Sequence, residues 1–311
     1  MSADSPLEAE VGPWAREKLD ALERYLDYYT KVLKNQSQWQ TIFLDAFAGG
    51  GRARIRGRKQ SPSPEGGLDL GVASKIDAEQ QEFILGSPRR SLEIANPFDS
   101  YIFIDADRTR IQMLRDLKAE YGDRRRITVR EGTAASEVAW VLSKKPDPAR
   151  HRGVAFLDPF GAHMEWQTVS ALASTGVFEV LINLPLDMAI NRLIKVNGQM
   201  PENWRAQLDA FFPVGWWDEA YSTDPGLFLG LPEGTNALEK RRDARARLLR
   251  FYMAHLKDAF GLVSQPKLIR NTKGHPLYYL LWAGSHPKGL QGANYVLAMG
   301  ERLPGTGRRP G

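Results

Sequence analysis

The stretch Phe43-Leu44-Asp45-Ala46-Phe47-Ala48-Gly49-Gly50-Gly51-Arg52 constrains this chain more than any other. The apolar run Ile42 to Leu44 predicts a buried strand, which ends at an acid and then runs into three consecutive glycines. A strand that ends in a glycine loop lets another molecule approach the backbone closely, because glycine has no Cβ in the way. The spacing is not G-x-G-x-x-G, so the dinucleotide fingerprint is not met. No G-x-x-x-x-G-K-S/T motif is present either, which removes the phosphate-cradling P-loop.

Around this stretch the chain alternates strands and helices. Residues 13–34 predict an amphipathic helix: Trp14, Leu19, Leu22, Tyr25, Leu26, Tyr29, Val32 and Leu33 recur at three- and four-residue steps, with Lys18, Asp20, Glu23, Arg24 and Lys31 on its other faces. After the glycine loop, Arg52, Arg54, Arg56, Arg58 and Lys59 lead into Ser-Pro-Ser-Pro and predict a basic loop. Tyr101 to Asp107 is a second strand ending in Asp105 and Asp107. Ile127 to Arg130 is a third, followed by Thr133 and Ala134. Residues 153–161 are a fourth, ending Asp158-Pro159-Phe160-Gly161, and residues 177–185 a fifth, ending at Asn183 and Pro185. Helical stretches separate them, so the strands should pair in parallel. In an open sheet of this kind ligands sit outside the carboxyl ends of the strands. Asp45, Asp105, Asp107, Asp158 and Asn183 all fall there.

Residues 187–260 break the alternation and predict a helical insertion over the pocket, in the place of a lid. Aromatic residues cluster in it, and residues 237–260 predict one long helix with Lys240, Arg241, Arg242, Arg245, Arg247 and Arg250 on a basic side. Leu262 to Ile269 and Leu277 to Ala283 then predict a terminal antiparallel hairpin around Asn-Thr-Lys-Gly-His-Pro. The whole, residues 1–311, reads as one domain.

The chain has no cysteine, so disulfides, thiolate metal sites and a cysteine nucleophile are impossible, and a cytoplasmic location is the natural expectation. Of the five histidines only His163 lies near a candidate site, and no H-E-x-x-H cluster exists, so no metal is expected. No apolar run is long enough to span a membrane, and the first residues lack the pattern of a secretory signal. The net charge of +5 mildly favours an anionic partner such as nucleic acid.

Taken together, FLDAFAGGG, GSPRRSLEIANPFDSYIFIDAD, GVAFLDPFG with the following HMEWQTV, LINLP and PLYYLLWAGSHPKG resemble the three-Cys-motif partner proteins. The likeness runs from the first helix to about residue 290. It implies a Rossmann-like class I methyltransferase fold: a mostly parallel α/β sheet with a C-terminal antiparallel hairpin. It also implies S-adenosyl-L-methionine (SAM) as cofactor and a cysteine-motif companion protein as partner. On that resemblance Asp45, Phe47, Ala48, Gly49 and Gly50 would face the amino-acid part of SAM. Asp105 and Ala106 would lie at the ribose, with Asp107 as the rival acid, and Thr133 and Ala134 at the adenine. Asp158, Pro159 and Phe160 stand where amino-group methyltransferases carry D-P-P-Y/F, though the second proline is missing here. Asp158, which also borders the cofactor, would hold the acceptor and Phe160 would stack on it. The implied reaction is methyl transfer to an amine or other nucleophile of a nucleobase-like or nucleic-acid substrate. The alternatives are a non-catalytic partner subunit, or a methyltransferase of a small metabolite. Plainer readings stand beside these: Asp105 as a helix cap, Asn183 as structural, and Trp166 as core.

Overall fold

In the computed structural model of the protein, residues 9–11, 14–55, 83–223 and 238–299 are described. Apolar runs form the strands of one eight-stranded sheet. These strands are β1 (Gln40–Asp45), β2 (Ser100–Asp105), β3 (Ile127–Glu131), β4 (His151–Leu157), β5 (Phe178–Leu184), β6 (Leu262–Val263), β7 (Lys267–Arg270) and β8 (Pro276–Gly284). The order across the sheet is β3-β2-β1-β4-β5-β8, with β6 and β7 both on the outer side of β8. The first five strands are mutually parallel, and β8 enters antiparallel to β5, Leu280 opposite Asn183. This is the mostly parallel sheet with an antiparallel C-terminal hairpin that the sequence predicts. Its strand order reverses beside β1, where the glycine loop leaves the sheet.

Side chains alternate across the pleat, so each strand feeds two cores. Leu44, Ile104, Ala155, Leu157, Val180 and Ile182 face one side, where α4 (Ala134–Ser143), α5 (Trp166–Ser174), α6 (Glu202–Phe211), α7 (Trp216–Ala220) and α8 (Ala244–Phe260) cover them. Phe43, Phe103, Val154, Phe156, Leu181 and Trp282 face the other. There they meet α1 (Trp14–Leu33), α2 (Ser87–Glu93), α3 (Arg108–Tyr121) and α9 (Pro287–Ala298). The apolar stripe of α1 is buried on this second face through Leu19, Leu22, Tyr25, Leu26 and Tyr29.

Three expectations need correction. The long basic helix does not begin at residue 237. Leu238–Lys240 is a short strand paired antiparallel with Tyr221–Thr223, and helix starts only at Ala244. Lys240 and Arg241 are therefore spent within the protein: Lys240 Nζ donates to the Asn191 side-chain oxygen at 2.6 Å and to the Ile194 carbonyl at 3.1 Å, and Arg241 Nε donates to the Tyr221 carbonyl at 2.8 Å. The basic face of α8 is partly paired as well, Arg247 with Glu219 at 2.9 Å and Arg245 with Asp187 at 3.3 Å. Second, α8 is a layer helix of the main fold, with Leu248, Tyr252, Leu256 and Phe260 in the first core, rather than part of a lid. Third, Arg52–Ile55 is not loop. It is a strand between Ala9–Val11 and Phe83–Leu85. Residues 56–64 of the basic loop lie outside the described residues.

Candidate functional site

The carboxyl ends of β1, β2, β4 and β5 bring the expected acids to one edge of the sheet. Asp45 is fully buried. One oxygen accepts the Phe47 N–H at 3.2 Å, and the other, Oδ2, has no hydrogen-bond partner within reach among the described residues. Burial pushes its carboxyl up to about 7; the nearby Ser87 hydroxyl and the Phe47 N–H only partly offset this, and the charges of Asp158 and Asp105 add to it. A buried acid without a full set of partners is costly in a structural role and is what a polar ligand would complete.

The loop beyond Asp45 is tied down on both sides. Ala46 N–H donates to the Phe156 carbonyl and Ala48 N–H to the Ile104 carbonyl, which splices the loop onto β4 and β2. Gly49 has φ +63°, a left-handed conformation that glycine adopts without strain, and nothing stands within 4 Å of where its Cβ would be. That open space is the room the sequence predicts for close approach to the backbone. Gly50 is different: a Cβ there would meet the flexible end of the Met113 side chain of α3 at 2.6 Å, which would have to swing aside.

Asp105 and Asp107 divide their roles. Asp107 is the N-cap of α3 and accepts the Arg110 N–H at 2.9 Å. Asp105 does not cap. Its Oδ2 accepts the Gly49 N–H at 2.9 Å and its Oδ1 the Asp107 N–H at 2.8 Å, which holds the carboxylate beside the glycine loop with a second lone pair on each oxygen. Ala106, between them, is exposed. Thr133 caps α4, accepting the Ser136 N–H at 3.2 Å, with Ala134 buried behind it. Phe47 is half-buried against the first core, and Ala48 is buried in the second.

Asp158 accepts from Asn183 Nδ2 at 2.7 Å through one oxygen and lies 2.5 Å from Lys18 Nζ through the other. Asn183 Oδ1 is buried and has no hydrogen-bond partner among the described residues. Pro159 is buried, whereas Phe160 is 83% exposed, a large apolar ring held in solvent at the rim. His163 is exposed and contacts only Gln207 among the described residues, so it stands apart from the acids. Trp166 stacks edge-on against Tyr252 with ring centroids 5.4 Å apart, a core residue as its plainer reading has it.

Two site residues are not apparent from strand ends alone. Lys18 comes from α1, half-buried, with Nζ 5.5 Å from the Tyr278 ring. The sequence pattern predicts Lys18 on a polar face of α1; it stands instead four residues from both Trp14 and Leu22, within the apolar stripe. Tyr278 lies on β8, which runs antiparallel and so delivers its first half to the same edge. Burial, then the charges of Asp158 and Glu17, push its hydroxyl well up.

Strand order and strand direction define the fold, which is Rossmann-like in the manner of class I methyltransferases. No family model and no curated protein matches the chain. Among solved structures, protein LPL1258 from Legionella pneumophila, of the family DUF519, aligns at 12% identity over 90% of this chain and 89% of its own, with a TM-score of 0.43. An assigned O-methyltransferase from Klebsiella pneumoniae aligns at 13% over 88% and 90%, with a TM-score of 0.39. The assigned methyltransferase yhhF from Escherichia coli aligns at 12% over 85% and 87%, with a TM-score of 0.34. The strand order, not these likenesses, defines the fold. Among the described residues no helix is long and apolar enough to cross a membrane.

A cavity of about 300 Å³ also exists, but at the opposite edge of the sheet, with neither Asp45 nor Asp158 in its wall. The Asp45 and Asn183 oxygens that have no hydrogen-bond partner among the described residues, and the open backbone at Gly49, lie instead at the strand ends.

Proposed function

We propose that the protein is a SAM-dependent methyltransferase whose acceptor is an amine or other nucleophile on a nucleobase-like molecule or nucleic acid. The observation that carries this reading is the joint placement of Asp45, Gly49, Asp105 and Asp158 at one sheet edge, with open space before the Gly49 backbone. The chain's residues fit the cofactor. Asp105 has lone pairs free for two ribose hydroxyls, the backbone of residues 49–51 would take the amino-acid end, and Thr133 and Ala134 would border the base. SAM supplies an already activated methyl group, so the work left to the protein is alignment and exclusion of water. Asp158, steadied by Asn183, would accept a hydrogen bond from the acceptor amine and fix its lone pair in line. Phe160 supports a planar acceptor, since an exposed ring beside the acid offers a stacking face.

The pairing of Lys18 with Asp158 favours a second reading. If the lysine keeps its place, the acid is unavailable to an acceptor, and the chain is a methyltransferase-shaped subunit for nucleic acid or for a cysteine-motif companion. Kinship with the three-Cys-motif partner proteins, and a cytoplasmic place of work, rest on the sequence motifs and composition.

The test is transfer of labelled methyl from SAM to nucleosides, single strands and duplexes, with Asp158→Ala as control. The proposed reading expects transfer by the wild type, loss of it in the variant, and SAM affinity kept within a few-fold. A nucleic-acid acceptor should lose binding steeply as salt rises, while a neutral nucleoside should not. Full activity of Asp158→Ala removes the catalytic assignment.

A further inference from the structure

The cavity at the far edge of the sheet contains chemistry that the strand-end site does not use. It opens between the C-terminal half of α1, the starts of β4 and β5, and the turn from β8 into α9. Glu179, the second residue of β5, lines it. Four residues separate Glu179 from Asn183, about 13 Å along the strand, so the two sites lie at opposite ends of one element.

A carboxylate in this position needs a reason. It is half-buried, and desolvation pushes its carboxyl up to about 7, against hydrogen bonds that favour the charged form. No ion pair to it is present among the described residues. Its partner is the Tyr25 hydroxyl, which donates to Oε1. Glu179 keeps some accessible surface, and it is one of the residues that line the cavity.

The backbone around it is shaped to leave this room. A Cβ at Gly284 would meet the Glu179 side chain at 2.8 Å, and one at Gly289 would meet its Oε2 at 2.9 Å. Both would also strike Trp282, at 2.6 Å. Two glycines, one ending β8 and one in the first turn of α9, thus keep space for the acid and the indole beside it.

The walls are aromatic and the mouth is basic. Tyr28, Tyr29, Trp39 and Phe178 line the sides. Burial, then the neighbouring Glu179 charge, holds the Tyr29 hydroxyl well up, so it stays a neutral donor. At the rim, Arg152 lies 4.2 Å from the centre of the Trp39 ring, and Lys288 is exposed. A volume of about 300 Å³ lies at the small end of ligand pockets, which suits one or two rings rather than a nucleotide.

We propose that this cavity is a second small-molecule site, which takes a planar molecule of one or two rings and receives its amine or amidine N–H group on Glu179. The aromatic side chains hold the ring. A ring substituent that is neutral or anionic emerges at the mouth beside Arg152 and Lys288. The site stands apart from the methyl-transfer reading: nothing in it depends on SAM.

The test is titration calorimetry of the full chain with tryptamine and with indole-3-propionate, which share a ring and differ in carrying an amine or an acid. The proposal expects saturable one-to-one binding of tryptamine, and binding of the acid weaker by about tenfold or more. Val32→Trp, which fills the cavity from α1, should abolish tryptamine binding and leave any SAM binding unchanged. Glu179→Gln should weaken tryptamine by about tenfold while keeping the shape of the site. Equal affinity for the two probes, no saturable heat with tryptamine at millimolar concentration, or unchanged binding in Val32→Trp overturns the proposal. The comparison of the two probes needs only the wild type, so it decides the matter even if a variant fails to fold.

Discussion

Burial, more than any neighbouring charge, sets the chemistry of Asp45. Its folded carboxyl titrates at about 7 against an ordinary value of 3.8. Between those values the folded protein keeps a proton that the unfolded chain has released, so the folded state binds more protons. Stability from this group is therefore greatest below about pH 4 and falls as pH rises toward 7, where it levels off. The steepest slope is about 1.4 kcal/mol per pH unit. Asp45→Asn removes the titration. Urea denaturation across this pH range should show wild type losing stability relative to the variant as pH rises; parallel curves would mean the carboxyl is not held protonated. The strand-end acids Asp45, Asp105 and Asp158 were legible in the sequence because each closes an apolar run. Glu179 and Lys18 were not. Glu179 interrupts the apolar run Val177 to Leu184 at a position that alternation sends inward, and Lys18 sits in an apolar helical stripe. A single charge in a buried pattern is a weak mark by eye, and only the contacts show that each one has a partner.

The element that joins the two ends of the molecule is α1. Lys18 reaches Asp158 at one edge of the sheet, and Tyr25, seven residues or about two turns further on, reaches Glu179 at the other. Leu22, fully buried between them, fastens the helix to the second core. Leu22→Ala should cost about 2–5 kcal/mol, read as a lower midpoint in denaturant with an unchanged slope. A loss below about 0.5 kcal/mol would place α1 outside the cooperative unit. Helix and strand periodicity located α1 and the sheet strands to within a few residues. It failed at residues 238–243, where Leu-Glu-Lys-Arg-Arg fits a helix locally but Leu238–Lys240 pairs with Tyr221–Thr223 instead. It failed again at Arg52–Ile55, whose charged sequence reads as loop but has two strand neighbours. In both places pairing with a distant segment overrides local preference, and a local pattern holds no information about that segment.

At the scale of the whole molecule, one sheet separates two kinds of chemistry. Its carboxyl edge holds acids around an open glycine backbone, and its opposite edge holds an aromatic-walled cavity beside Glu179. The parallel order of β1 to β5 gathers the acids on one side, and antiparallel β8 adds Tyr278 to them. The central claim is that this carboxyl edge holds SAM. Calorimetric titration with SAM and S-adenosylhomocysteine, on wild type and on an Asp105→Ala variant shown folded by circular dichroism, tests it most directly. The account predicts one site per chain for both ligands in the wild type, with binding lost in the variant. A wild type that binds neither would contradict it, and the glycine loop would then be a turn that closes the fold and nothing more.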